Sequence, residues 1–290
     1  MAQIQNEAAN EKSVWIRIGM VFLYICLIIV ALFQIYPLVW LAMFSLKTNT
    51  EVFGLSPPFS LPQDPQWVNY LNVWENGNIN IYFLNSVWIT IISVALTLLF
   101  ASFVTFAITR MNWKLNKLTL GLFMVGLMVP IHSALIPLFA FFLELNIINH
   151  PLSLILAYTA FNLPLTIMIL LGFYYTLPKE VEEAAVVDGC SVHRIFFQIT
   201  LPMTTPVIAT TAIINMIYNW NEFVFVNTFI SSDKWKTLTV GIQNFIGQYS
   251  TDWGGAIGAT LMISIIPVLI AFLVLSDRIV EGIAAGSVKG

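Results

Sequence analysis

Six long apolar runs set the strongest limit on how this chain can fold. Each exceeds the roughly 20 residues that a helix needs to cross a bilayer, and Glu222 is the one Asp, Glu, Lys or Arg within them. The runs are Ile18–Ser45, Phe83–Thr109, Leu118–Leu143, Leu152–Tyr175, Thr205–Ile230 and Ala256–Ser276. The chain lacks the alternating segments of a barrel, and an open sheet would leave backbone groups unpaired in lipid. The runs therefore predict an all-α, polytopic membrane protein with six transmembrane helices.

The composition argues against several other classes of protein. Hydrophobic residues make up 58% of the chain and charged residues 9%, whereas soluble domains carry about 25% charged residues. The net charge of −3 gives no support for binding nucleic acid. Cys26 and Cys190 lack the spacing of a zinc site. We therefore expect membrane lipid as the surroundings, with no metal, no cofactor and no nucleic-acid partner.

Lysine and arginine predict the orientation, because they concentrate in cytoplasmic loops. With the N-terminus inside, nine of the 12 lie in inner segments, and three, Lys47, Lys234 and Lys236, lie in outer segments. We therefore expect a multi-pass protein of the cell (inner or plasma) membrane with both termini in the cytoplasm. Its first run is too long for the apolar core of a signal peptide, about 7–15 residues, and should remain as a membrane helix.

These assignments divide the chain into four parts. Residues 1–17 form a cytoplasmic tail, and residues 18–82 form the first membrane helix with an outer cap segment. Residues 83–278 form the membrane core, and residues 279–290 form a second cytoplasmic tail.

Several polar and aromatic residues in the fourth and fifth runs form a candidate site. They are Asn162, Asn215, Tyr218, Asn219, Trp220, Asn221 and Glu222. Polar side chains are costly against lipid, so they should face the protein interior or a watery cavity. Asn215, Asn219 and Glu222 stand at i, i+4 and i+7, which predicts one face of a helix. Two interpretations remain open, namely hydrogen bonds between helices and a substrate pathway for a polar solute.

The third run contains Pro130, His132 and Pro137. Prolines inside a span kink it and free backbone carbonyls. The histidine is interpreted either as a hydrogen-bonding contact to a neighbouring helix or as a residue that lines a pathway. No second His or carboxylate stands beside it at metal-ligand spacing.

Motifs for catalysis are missing from the sequence. It contains no GxxxxGK[ST] phosphate loop, no GxGxxG before a helix, no HExxH and no GxSxG. We therefore expect no catalytic residue and no enzyme activity in this chain. If it drives transport, the energy must come from another chain or from an ion gradient.

One segment between the fourth and fifth runs, Pro178–Pro202, is too charged for lipid and should lie in water. Helix-forming residues predict a helix over Lys179–Val187, and Gly189 permits the turn that ends it. Ser191 can cap a second short helix. Ala184 and Ala185 would give the first helix a flat patch that another backbone can approach. From composition alone, the segment could equally be a solvated hairpin on the membrane surface.

The spacing in this segment resembles the EAA loop of ABC importer permeases. The pattern is Glu183-Ala184-Ala185, three residues, Gly189, nine residues, Ile199, one residue and Leu201-Pro202. The stretch FNLPLTIMILLGFYYTLPKEVEEAAVVDG, the run Trp220-Asn221-Glu222-Phe223 and the ending GIAAGSVKG resemble the carbohydrate branch, specifically its maltose-type second permease subunit. The likeness extends over almost the whole chain.

The resemblance implies a type I ABC importer transmembrane domain, with residues 83–278 as its core. Such a subunit pairs with a second, similar permease and two ATP-binding subunits, and it receives substrate from an extracytoplasmic sugar-binding protein. The EAA loop would dock in a cleft of the ATPase and couple ATP hydrolysis to transport. The implied coupling residues are Glu183, Ala184, Ala185, Asp188, Gly189, Ile199, Leu201 and Pro202, with Gly286–Gly290 as further candidates for contact. The sugar pocket does not carry over residue by residue.

The implied function is import of a sugar, either an oligosaccharide or a disaccharide. One alternative keeps the architecture but imports a polyol, glycerol phosphate or another small polar solute. The spans show no basic residue that would favour a phosphorylated substrate. A different class is an ion-coupled secondary transporter, which predicts internal repeats and buried acids. No repeat is evident, and Glu222 is the only acid inside a run.

Overall fold

The computed structural model is helical and describes the backbone of residues 2–54, 57, 59–246 and 253–287, with side chains for 16–54, 57, 59–246 and 255–274. Over the described residues it contains no β-strand. Its α-helices are α1 Ala2–Phe44, α2 Asn49–Phe53, α3 Val68–Glu75, α4 Ile79–Arg110, α5 Asn116–Met128, α6 Leu135–Glu144, α7 Pro151–Tyr174, α8 Glu180–Val187, α9 Val192–Ile195, α10 Leu201–Met203, α11 Thr205–Trp220, α12 Val224–Phe229, α13 Leu238–Gly241 and α14 Ala259–Ser287.

The described helices confirm the predicted all-α membrane fold. Four of them are long and apolar enough to cross a membrane unbroken, namely Ile16–Phe44, Ile79–Arg110, Pro151–Tyr174 and Gly255–Val274. Two bent pairs pass the same test, Asn116–Met128 with Ile131–Glu144 at 95° and Val192–Met203 with Thr205–Trp220 at 73°. Counting each bent pair as one span gives the six spans predicted from the apolar runs.

The third span breaks at the first of its two prolines. Val129 and Pro130 are extended, with ψ angles of 115° and 124°, because the ring of a proline disfavours the helical conformation of the residue before it. The predicted kink is thus confirmed at Pro130. Pro137 produces no separate break, because it lies in the first turn of α6, where a missing N–H costs no intrahelical bond.

The fifth span differs from its prediction at both ends. Its apolar helix pair begins at Val192, and α11 ends at Trp220 rather than near Ile230. The amide of Asn221 donates to the Ile217 carbonyl at 2.8 Å, and Glu222 accepts the N–H groups of Phe225 and Val226. These local bonds offer the backbone an alternative to a continuing helix. The prediction that Glu222 shares a helix face with Asn215 and Asn219 is therefore wrong.

By its internal contacts the chain forms two compact units. The first comprises Met1–Leu71 with Asp252–Met262, and the second comprises Asn72–Thr251 with Ile263–Gly290.

In the first unit, side chains hold the residues that follow α1. The hydroxyls of Ser45 and Tyr70 lie 2.6 Å apart, and the amide of Asn69 donates to the Ser45 carbonyl at 3.0 Å. Thr48 and Glu51 form a reciprocal cap at the start of α2. Backbone N–H groups that donate to the Glu51 carboxylate lower its pKa.

In the second unit, α4 packs along α7 through small side chains. Ser93, Thr97, Ala101 and Thr105 recur every fourth residue on α4, and all are fully buried. Small residues at this spacing let two membrane helices approach closely.

A matched pair of alanines tests this packing. Ala101→Leu should destabilise the folded permease by about 1–3 kcal/mol, because extra methylenes in a closely packed contact force side chains out of their rotamers. Ala95→Leu makes the same change at an exposed position of α4 and should have little effect. Thermal unfolding of the two variants in detergent measures the difference. Equal midpoints would show that the α4–α7 contact tolerates the added volume.

Two apolar clusters form the core of the second unit. The first joins Ile89, Phe142, Tyr158, Phe225 and Phe229 with their neighbours. The second gathers residues of α4 and α7, and it also contains Ala185, Ile195 and Phe196 from the charged segment after α7. One side of that segment therefore packs into the apolar core of the second unit.

Candidate functional site

The first part of the Pro178–Pro202 segment folds as its residues predict. Helix α8 covers Glu180–Val187, within one residue of the predicted start. It ends in a Schellman motif, in which the N–H of Cys190 donates to the Ala185 carbonyl at 2.9 Å and that of Gly189 to the Val186 carbonyl at 3.0 Å. Gly189 has a φ of +75°, a conformation that strains other residues. The predicted turn is confirmed.

The second part turns back to the membrane as one helical run. Ser191 accepts the N–H of Arg194 and caps α9, as predicted. A π-helix, Phe196–Thr200, then leads into α10. Pro202 lacks the N–H that would continue the helical ladder, and the run bends by 73° before α11. The ring of Phe196 packs against those of Phe103 and Phe106 on α4, at 5.0 and 5.2 Å between centroids.

Helix α8 has an inward and an outward face. Glu182 and Ala185 are buried, at 8% and 6% exposure, whereas Glu183, Ala184 and Asp188 are exposed. The two alanines therefore do not form one patch for a partner, because Ala185 packs into the core. Exposed valines complete the outward side, and Val187 is 87% exposed. Exposed apolar side chains clustered on one helix mark a surface that can bind another protein.

The remaining residues of the EAA pattern lie at the return to the membrane. Ile199 and Leu201 are half-buried, and Pro202 is exposed. Both half-buried side chains pack against the second apolar cluster.

A buried ion pair and hydrogen bonds hold the inward face of α8 against α4 and the π-helix. A carboxylate oxygen of Glu182 lies 2.5 Å from Nε of Arg110, the last residue of α4. The Thr200 hydroxyl donates to the other oxygen at 2.8 Å. Nη2 of Arg110 donates to the carbonyl of Tyr174 at 3.2 Å. Residue spacing does not reveal these partners, because they come from segments far apart in the chain.

A ladder of hydrogen bonds joins α7 to α11 and the residues after it. The Tyr158 hydroxyl donates to the Glu222 carboxylate at 3.0 Å, and the Asn162 amide donates to the Asn219 side-chain oxygen at 2.7 Å. The Asn215 amide donates to the Thr166 hydroxyl at 2.9 Å. Tyr158, Asn162 and Thr166 stand at i, i+4 and i+8 on α7, so this spacing could have identified the facing residues.

The other candidate pathway residues lie outside the ladder. Trp220 is buried and donates from its indole to the Ser264 carbonyl at 3.0 Å. Tyr218 and Asn221 are exposed, and so is His132 at the break of the third span. Within the described side chains, no group of three His, Cys, Asp or Glu could hold a metal ion.

A family comparison identifies the type of protein that carries this loop. The family model described as "Binding-protein-dependent transport system inner membrane component" matches residues 97–285, well over half of the chain. The chain belongs to this family. As an inner-membrane component it is a multi-pass subunit of an ABC transporter rather than an enzyme, and it works with an ATPase and a substrate-binding protein.

Curated relatives of this inner-membrane component are permeases of similar length. The probable ABC transporter permease protein YurM of Bacillus subtilis is 36% identical over 97% of this chain and 89% of its own length. The diacetylchitobiose uptake system permease protein NgcG of Streptomyces coelicolor is 35% identical over 91% of this chain and 87% of its own. The melibiose/raffinose/stachyose import permease protein MelC of B. subtilis is 31% identical, with 90% and 94% covered.

A solved structure supports the fold of the inner-membrane component. A chain of a bacterial ABC transporter involved in the import of the acidic polysaccharide alginate superposes with a TM-score of 0.78, at 20% identity, over 91% of this chain and 97% of that one. The tail Gly286–Gly290, for which the resemblance implies contact with the ATPase, lies outside the residues with described side chains.

Proposed function

We propose that this chain is a permease subunit of an importer for an oligosaccharide or disaccharide. Two of the relatives are named for the uptake of diacetylchitobiose and of melibiose, raffinose and stachyose, and both align with about nine-tenths of this chain. Their names favour a saccharide over a polyol or glycerol phosphate. Membership of an ABC transporter family does not favour the ion-coupled alternative.

The observation that carries the mechanism is the outward face of α8. It combines exposed Glu183, Ala184 and Val187 on a segment that is too charged for lipid, at the spacing of the EAA loop. This face is the proposed docking surface for an ATP-binding subunit, and Asp188, Gly189, Ile199, Leu201 and Pro202 shape the loop behind it. Nucleotide-driven closure of the ATPase would then move α8 and, through the helical run that follows, α11.

The full transporter in this proposal contains further chains. A second, similar permease completes the translocation pathway, two ATP-binding subunits dock on the two permeases, and an extracytoplasmic sugar-binding protein delivers the substrate. Nine of the 12 lysines and arginines lie in the predicted inner segments, and this distribution supports a cytoplasmic docking loop and cytoplasmic termini. Residues 83–278 serve as the transport core, between the first membrane helix with its outer cap segment, residues 18–82, and the tail of 279–290.

The pathway proposal now rests chiefly on Tyr218 and Asn221. An exposed asparagine between apolar spans is costly against lipid, so Asn221 is proposed to face the substrate route or the second permease. Asn162, Asn215, Asn219 and Glu222 already serve as partners in the hydrogen-bond ladder.

Reconstitution tests the proposed function. The tagged permease should co-purify from its native membrane with a second permease and an ATPase. In proteoliposomes with the binding protein, saccharides from a panel should stimulate ATP hydrolysis and accumulate inside. A complex that contains no ATPase, or that responds only to polyols or ions, would contradict the proposal.

Gly189 provides a test of loop geometry. Its φ of +75° strains a β-branched residue, whereas asparagine tolerates it, and an added Cβ would meet no atom within 4 Å. Gly189→Val should therefore lower saccharide uptake roughly tenfold, in line with a cost of about 1–2 kcal/mol for the left-handed conformation. Gly189→Asn should keep most of the activity. Equal uptake by the two variants would show that the turn does not control coupling.

A further inference from the structure

We propose that Arg110 and Glu182 are positioning residues that tie the docking helix α8 to the end of the membrane helix α4. The proposal rests on the docking role of α8 and extends it. The EAA pattern begins at Glu183, so it does not include Glu182, and it includes no residue of α4.

The two adjacent glutamates of α8 have different surroundings. Successive residues of a helix point about 100° apart. Glu183 is exposed on the outward face, whereas the side chain of Glu182 is only 11% exposed on the inward face. One carboxylate is therefore available to a partner subunit, and the other serves the permease itself.

Glu182 joins three elements through its two oxygens. One oxygen pairs with Nε of Arg110 on α4, and the other accepts the hydroxyl of Thr200 in the π-helix. Arg110 extends the network, since its Nη2 donates to the Tyr174 carbonyl at the end of α7 and lies 3.5 Å from that of Leu177. Through these bonds, a displacement of α8 would be transmitted to the ends of α4 and α7.

Apolar packing beside this ion pair is incomplete. A partly open cleft of about 330 Å³ lies between the end of α4, α8 and α9. Its lining is mixed, with Thr109, Lys179 and Glu183 beside Met111, Val186 and Val192, together with both charged partners. A gap at this point leaves fewer van der Waals contacts to carry a displacement. The ion pair, whose side chains are 6% and 11% exposed, bridges it.

Removing the pair should therefore disturb coupling more than folding. A lone buried charge is strongly destabilising, but exchanging both partners for apolar residues is often neutral. The informative variants are Glu182→Gln, which keeps the shape of the side chain, and Arg110→Met/Glu182→Met, which leaves no unpaired charge. Lys114→Met, at an exposed lysine of the α4–α5 connection, and Glu144→Gln, at an exposed end of α6, are the matched controls.

The experiment uses the complete transporter, with its ATPase and binding protein, in proteoliposomes. We expect Arg110→Met/Glu182→Met to retain the ATPase in amounts within about twofold of the wild type, and Glu182→Gln to yield less complex because it leaves the buried Arg110 charge unpaired. In both variants saccharide uptake per assembled complex should fall about tenfold, the size of a lost coupling contact. The controls should match the wild type. A purely structural role would lower the amount of complex but leave uptake per complex unchanged, and that result would overturn the proposal.

A comparison with Glu183→Arg separates this proposal from the docking proposal. If Glu183→Arg impairs uptake and the Glu182 variants do not, only the positioning role fails. If neither Glu183→Arg nor the Glu182 variants change uptake or ATPase binding, both the positioning role and the docking role of α8 are wrong.

Discussion

The Glu183→Arg variant is expected to lose nearly all saccharide uptake while still inserting and folding. Glu183 is exposed, and its side chain has no hydrogen bond or ion pair within the described part of the chain, so the substitution should change folding stability by less than about 0.5 kcal/mol. At a protein interface, however, a charge of the wrong sign costs several kcal/mol. Uptake should fall roughly 100-fold or more, since each 1.4 kcal/mol is a factor of about ten.

Two measurements separate docking from folding in this variant. Thermal unfolding of the purified permease should match the wild type, and less ATPase should co-purify, or the bound ATPase should hydrolyse ATP without uptake. Glu144→Arg reverses an exposed charge at the end of α6 and should leave uptake intact. Near-normal uptake by Glu183→Arg would show that the outward face of α8 is not the coupling surface.

The fold of the Pro178–Pro202 segment is largely predictable because its signals are local. Helix-forming residues, the glycine that ends α8 and the serine that caps α9 act within a few positions of themselves. Which side of α8 faces inward depends instead on distant partners, Arg110 and Thr200, that no local pattern identifies. For that reason the sequence predicts one patch of Ala184 and Ala185, although Ala185 is buried.

The membrane spans show the same division between local and distant causes. Their number follows from the length of the apolar runs, and the break at Pro130 follows from the chemistry of proline. The end of α11 cannot be predicted from hydropathy. It depends on the Glu222 carboxylate, which accepts backbone N–H groups three and four residues later. The spacing of Asn215, Asn219 and Glu222 therefore predicts one helix for all three, although only the first two lie on α11.

Replacing Asn219 and Glu222 together by leucine is expected to reduce the amount of folded permease sharply. The Tyr158 hydroxyl and the N–H groups of Phe225 and Val226 would lose their carboxylate acceptor, and the Asn162 amide would lose Asn219. Each buried donor left without an acceptor costs about 1–3 kcal/mol. Since whole domains are stable by about 5–15 kcal/mol, the variant should unfold at a much lower temperature and yield little monodisperse protein in detergent.

Tyr218→Leu/Asn221→Leu is the contrasting variant, because both of its side chains are exposed. It should fold in normal yield and lose uptake per assembled complex if these residues face the substrate route. A low yield of folded protein with normal uptake per complex would instead assign Tyr218 and Asn221 a structural role. If the Asn219/Glu222 variant folds normally and still loses uptake, the buried amides and the carboxylate must open to the substrate during transport. The ladder would then be a closed state of the pathway rather than a fixed joint between α7 and α11.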